Sequence, residues 1–141
     1  MRILFIGDVM GRSGRDAVTA HLSDVKTKVK ADVVILNGEN AASGIGITEK
    51  IVKQFYKDGV DVITTGNHVW DQREIIPYID RDPKLLRPIN FPDGTPGKGS
   101  YIHGRILEFD AVLRRSLMKI GRPVVEPVLE KFDAALHFLL A

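Results

Sequence analysis

The stretch DVVILNGEN, residues 32–40, decides the fold. Its apolar core, Val33-Val34-Ile35-Leu36, is rich in β-branched residues and runs without polar alternation. A run this short and apolar on both sides suits a buried parallel strand better than a half-exposed antiparallel one. It stops abruptly at Asn37-Gly38-Glu39-Asn40, a polar turn. Working outward, the same pattern occurs on either side. Arg2 to Gly7 is an apolar run ending at Gly7-Asp8, and Val60 to Thr65 is another ending at Thr65-Gly66-Asn67-His68.

The segments between these runs read as helices. From Gly14 to Val29, the residues Val18, Leu22, Val25 and Val29 recur at helical spacing, as do Ile51, Val52, Phe55 and Tyr56 between Thr48 and Asp58. Thr48 is placed to cap the second helix and Gly59 to stop it. The order strand, helix, strand, helix, strand predicts an α/β fold with a parallel sheet and right-handed crossovers.

Beyond Trp70 the pattern loosens. Gln72 to Ile79 predicts a short helix. Asp82 to Gly99 carries four prolines and three glycines and reads as loop, with Leu85-Leu86 as a short strand. Glu108 to Ile120 has Phe109, Val112, Leu113, Leu117 and Ile120 at helical spacing, which predicts a helix there rather than another strand. A second amphipathic helix is predicted over 124–140, on Val125, Val128, Leu129, Phe132, Leu136, Leu139 and Leu140, with Pro127 either in its first turn or kinking it.

The 141 residues suffice for one core, so one domain over 1–141 is expected. No apolar run approaches the ~18 residues of a membrane helix, and no leader pattern follows Arg2. Cysteine is absent, which excludes disulfides, thiolate metal sites and cysteine nucleophiles, and fits a cytoplasmic location. Net charge is +2, with nine basic and eight acidic residues up to Trp70 and eleven and ten after it, so no half is a nucleic-acid tail. From Lys98 to Arg122 six basic residues face two acidic ones. That is at most a weak RNA-facing stripe, and Arg114-Arg115 reads as a solvated helix face.

In open parallel sheets, ligands bind beyond the carboxyl ends of the strands. Three consecutive strand ends would bring Asp8, Glu39, Asn40, Asn67 and His68 to one edge. This is a set of hard oxygen donors with one imidazole, suited to Mg²⁺, Mn²⁺, Fe or Zn²⁺. Singly, each has a plainer reading: Asp8 as a helix-capping acid, Glu39, Asn40 and Asn67 as turn residues, His68 as structural. His21 reads as structural, near the apolar face of the first helix, and Trp70 as a wall or core residue. Two phosphate-loop look-alikes fail. Residues 94–100, GTPGKGS, lack the glycine spacing and follow a loop, and Gly7, Gly11 and Gly14 do not match the dinucleotide-binding order. Backbone amides near Gly11 could attract an anion, while Arg12 and Arg15 read as solvated.

Gly66-Asn67-His68 after a strand resembles the Gly-Asn-His motif of the calcineurin-like metallophosphoesterase superfamily, and Gly7-Asp8 its first aspartate motif. GDVMGRSGR (7–15), NGENAASGIGIT (37–48), TTGNHVWD (64–71) and LLRPINFPDGTPGKG (85–99) together resemble the bacterial YmdB-type family of 2′,3′-cyclic-nucleotide phosphodiesterases, over residues 1–101. The resemblance implies metallophosphoesterase-like layers and two divalent metal ions. It implies Asp8 as terminal ligand of one metal, Glu39 as bridge, Asn40 completing the first sphere and Asn67 binding the second. It makes His68 the general acid near the leaving-group oxygen, or a group that orients the phosphate, and the substrate a small phosphodiester or cyclic nucleotide. The family takes further ligands from later histidines, including a His-x-His pair. Here only His103 and His137 follow His68, and neither receives a ligand role. A chain shortened in this way also admits a non-catalytic role as a metal- or nucleotide-binding or interaction subunit, or a homo-oligomer in which a neighbouring subunit supplies ligands.

Overall fold

The computed structural model describes residues 1–103 and 107–110. The three apolar runs form β1 (Ile3–Ile6), β2 (Val33–Asn37) and β3 (Val62–Thr64), and the leucine pair forms β4 (Leu85–Leu86). They lie side by side in the order β1-β2-β3-β4, every pair parallel, with Ile3 opposite Val33, Ile35 opposite Val62 and Ile63 opposite Leu85. All five residues of β2 are buried, as expected for a strand paired on both sides and covered on both faces.

The connecting helices are α1 (Gly11–Val29) and α2 (Glu49–Asp58). Alternation along the strands sends Leu4, Val34, Leu36, Ile63 and Leu85 to one face, where they pack with Val18 and Leu22 of α1 and Val52 and Phe55 of α2. Both helices therefore cover the same face, as a sequential strand order with crossovers of one hand requires. The opposite face carries Val33, Ile35, Val62 and Leu86, with Ile3 and Tyr101 against them.

The helix ends follow local chemistry. At α2, Thr48 is extended and its hydroxyl accepts from the Ile51 amide at 3.3 Å, while Gly59 turns left-handed at φ 104° so that Val60 N–H reaches the Phe55 carbonyl at 3.0 Å. Thr48→Ala is expected to cost about 1 kcal/mol, read as a lowered urea midpoint with unchanged slope. α1 begins at Gly11, three residues before the expected start at Gly14, because the left-handed Gly11 (φ 54°) lets the chain enter the helix directly after Met10.

Gln72 to Ile79 is helical in two pieces, a 3₁₀ turn Arg73–Ile75 and α3 (Ile76–Ile79), with Pro77 in the first turn of α3. A separate antiparallel hairpin joins β5 (Ser100–His103) to β6 (Leu107–Asp110), with Tyr101 opposite Phe109. This corrects the helix expected from Glu108. Leu107-Glu108-Phe109-Asp110 alternates apolar and polar with period two, so the same apolar residues that fit a helix also fit a strand, and pairing with β5 decides. The remainder of that expected helix and the whole of 124–140 lie outside the described residues.

Among the described residues β1 is an edge strand. Beside it, against α1, runs a groove of about 490 Å³ lined by Leu4, Ile6, Val18, Leu22, Val25 and other residues. His21 is exposed at its margin rather than packed in the core. Among the described residues, no helix is long and apolar enough to cross a membrane.

Candidate metal centre and active site

The carboxyl ends of β1, β2 and β3 converge through their backbones before any side chain is considered. After β1, Val9 N–H bonds the Asn37 carbonyl at 3.0 Å, and after β2, Gly38 N–H bonds the Thr64 carbonyl at 2.9 Å. Thr65 donates both its amide and its hydroxyl to the Leu86 carbonyl, at 2.9 and 2.8 Å. Each strand end is thus stitched to its neighbour.

Asp8 adopts φ 47°, a left-handed conformation that costs a residue with a Cβ but that aspartate tolerates better than most. The bend turns its half-buried carboxylate toward the β2 loop, where Asn40 Nδ2 donates to Oδ1 at 2.6 Å. Asn40 also holds the loop through its carbonyl, which accepts from Gly11 at 2.9 Å and Gly44 at 3.1 Å. Glu39 lies across Gly66. A Cβ built on Gly66 would overlap Glu39 Oε2 and stand 2.5 Å from its carboxyl carbon. The glycine before Asn67 is therefore the floor on which the Glu39 carboxylate rests. Asn67 is exposed and His68 half-buried, with His68 Nδ1 2.5 Å from Asp71 Oδ2.

Asp8 and Asn40 are thus in contact, and Glu39 rests against the turn that carries Asn67 and His68. Among the described residues no group of three or more His, Cys, Asp or Glu is placed to hold a metal. The donor set is instead two carboxylates and two side-chain amides. Carboxylate and amide oxygens are what a hard divalent cation selects, and water and substrate oxygens complete such spheres. The chemistry of the set and the seat beneath Glu39 fit a divalent cation.

Two residues at this edge are absent from the sequence-derived set. Asp71 has a signal, an acid three residues after His68 in a turn. Asn37, only 2% exposed at the end of β2, has an Oδ1 without a hydrogen-bond partner, and nothing in the sequence distinguishes it from a turn residue. One reading is corrected. Arg15 is half-buried rather than solvated, because its Nη1 donates to the Ala41 carbonyl and so ties α1 to the Glu39–Asn40 loop. Arg12 is exposed, paired with Asp16 at 3.5 Å. Trp70 packs against the core, its ring 6.1 Å from that of Phe91. His103 lies on β5, edge-on to Tyr101, and its Nδ1 is buried without a partner; His137 lies outside the described residues.

A second hollow, of about 450 Å³, is lined by Glu49, Lys53, Tyr56, Tyr78, Arg81 and Asp82. Its tyrosines are neutral structural groups. Burial, then the Asp82 carboxylate, pushes Tyr78 up to about 12 and Tyr56 higher still, and Tyr56 donates its hydroxyl to Asp82 at 3.0 Å.

A parallel sheet with alternating helices and hard donors at consecutive strand ends is a metallophosphoesterase-like α/β arrangement. Residues 4–132 match the sequence model of the YmdB-like proteins, and the chain belongs to that family. It is 58% identical over 99 residues to a 2′,3′-cyclic-nucleotide 2′-phosphodiesterase of Bacillus subtilis (strain 168), an alignment covering 70% of this chain and 38% of the relative. A crystal structure of a hypothetical protein from Thermus thermophilus superposes with a TM-score of 0.67 at 44% identity, covering 72% of this chain and 39% of the other. A novel phosphatase from Mycoplasma pneumoniae superposes with a TM-score of 0.68 at 35% identity, covering 72% and 38%. The chain thus spans about two fifths of the length of these relatives.

Proposed function

We propose that this chain is a metal-dependent phosphoesterase that cleaves a small phosphodiester, a 2′,3′-cyclic nucleotide, in the cytoplasm. The observation that carries the reading is the convergence of three strand ends, with Asn40 bonded to Asp8 and the Glu39 carboxylate seated on Gly66 beside Asn67 and His68. The name of the Bacillus relative supports the substrate class.

In this reading Asp8 and Asn40 hold one cation, Asn67 a second, and Glu39 reaches both. The ions, of Fe, Mn, Mg or Zn, supply Lewis-acid polarisation of the phosphoryl group and a water of lowered pKa when bound. The protein's own part is positional. The left-handed Asp8 and the Asn40 bond fix one pair of donors, and the glycine floor fixes the Glu39 carboxylate. His68 acts as general acid, giving a proton to the leaving ribose oxygen as the phosphorus–oxygen bond breaks. Imidazole is the side chain best suited to taking up and releasing a proton under physiological conditions.

The test is hydrolysis of 2′,3′-cyclic AMP and of a chromogenic phosphodiester with Mn²⁺, Fe²⁺ or Mg²⁺ added. Turnover dependent on the added ion is expected, and none with any of them would overturn the reading. The composition of the donor set favours a second reading. Two carboxylates and two amides are few ligands for two cations, which suits a subunit that binds one metal or a nucleotide without catalysis. Elemental analysis separates the two: two metals per chain support the enzyme, one or none the binding subunit.

A further inference from the structure

We propose that Asp71 is the positioning residue for His68, selecting the imidazole nitrogen that faces the substrate. The contact is short, 2.5 Å between His68 Nδ1 and Asp71 Oδ2, and the backbone enforces it. Val69 N–H bonds the Gly66 carbonyl at 3.2 Å and Asp71 N–H bonds the His68 carbonyl at 3.2 Å, so residues 66–71 form two successive turns. Val69, fully buried, anchors them in the core. His68 and Asp71, three residues apart across the second turn, consequently stand on one side of it.

The turn is also held from outside. Gln72 Nε2 donates to the Ile45 carbonyl at 2.9 Å. The neighbouring Gly46 approaches so closely that a Cβ there would lie 3.1 Å from the His68 carbonyl oxygen and 2.9 Å from Gln72 Cγ. Gly46 in turn donates its amide to the Glu39 carbonyl at 2.6 Å. The loop that presents Glu39 and the turn that presents His68 thus form one braced unit.

An ionised carboxylate only accepts hydrogen bonds. Asp71 therefore holds a proton on His68 Nδ1 and leaves Nε2 as the nitrogen directed at a ligand, bare in the neutral ring and carrying the proton to be given when the ring is protonated. A second group that fixes tautomer and ring orientation in this way governs the chemistry of a histidine without touching substrate. An asparagine in its place offers both a donor and an acceptor, and so loses the selection.

The first experiment needs no activity. Ring ¹⁵N shifts of His68 are recorded by long-range ¹H–¹⁵N correlation near pH 9, where imidazole is neutral. The wild-type protein is expected to show the Nδ1–H tautomer, and Asp71→Asn a shift toward Nε2–H. An Nε2–H ring in the wild type, or no change in the variant, overturns the proposal. The second experiment rests on the phosphoesterase reading. Asp71→Asn is expected to lower kcat at least ~10-fold, a part of the ~10²–10⁴-fold that a general acid contributes, with KM and metal stoichiometry unchanged. In a His68→Ala background the same substitution should have no further effect. An equal loss in both backgrounds marks a merely structural residue and overturns the proposal. A wild-type protein that turns over nothing yet shows the Asp71-dependent tautomer refutes the phosphoesterase reading and leaves the positioning role standing.

Discussion

Gly66→Ala is expected to weaken divalent-cation binding by ~10–100-fold while leaving the protein folded. The backbone at Gly66 lies outside the left-handed region, so an alanine is not strained there for conformational reasons. The whole effect comes from what the new methyl meets, the Glu39 carboxylate. β3 cannot retreat, because Thr65 is bonded twice to the Leu86 carbonyl and Gly38 N–H holds the Thr64 carbonyl. The flexible end of Glu39 yields instead, at little cost to stability, and swings off its seat. A displaced ligand or ligand support typically lowers metal affinity by ~10–100-fold. Isothermal titration with Mn²⁺ should show that loss, with a thermal melt of the metal-free protein shifted by no more than a few degrees. Unchanged Mn²⁺ affinity would mean that Glu39 holds no metal.

The largest loss of stability is expected from Phe55→Ala. Phe55 is 1% exposed and fills the space between α2 and the sheet, in the same cluster as Leu36, Ile63 and Leu85. Truncating a buried phenylalanine costs about 3–5 kcal/mol through lost transfer energy and the cavity left behind. For a chain of this size that lowers Tm by on the order of 10 °C. Circular dichroism melts of the two proteins check it. A drop of only a degree or two would mean that α2 is not packed as described.

These two sites differ in how far the sequence discloses them. Phe55 stands out because helical spacing selects it, and a residue on the apolar stripe of an amphipathic helix has one place to go. The first three strands of the parallel sheet, both main helices and the Thr48 and Gly59 caps are legible for the same reason: each is written within a few neighbouring residues. Asp8, Glu39, Asn40, Asn67 and His68 are legible as candidates because strand-end position is also local. Glu39 over Gly66 is not, since it joins residues from different strand ends and depends on side-chain direction. Nor is the Arg15–Ala41 bond, where an arginine at a helix start gives no sign of a partner 26 residues away. The β5–β6 hairpin is hidden on a different ground. Leu107 to Asp110 satisfies two periodicities at once, and only pairing with Ser100–His103 distinguishes them.

The stitching of three strand ends has a consequence for how the protein acquires its site. Asp8, Glu39 and Asn67 stand about thirty residues apart in the chain, and each is placed by a bond to the next strand rather than by its own segment. No fragment containing a single strand and helix holds two of these ends in register. The site therefore comes into being with the last parallel pairing, a non-local step that is slow to form. Any ligand that needs all three ends recognises the native chain and not the unfolded one. Such a ligand acts as a thermodynamic lock, raising stability in proportion to the logarithm of its concentration over its dissociation constant.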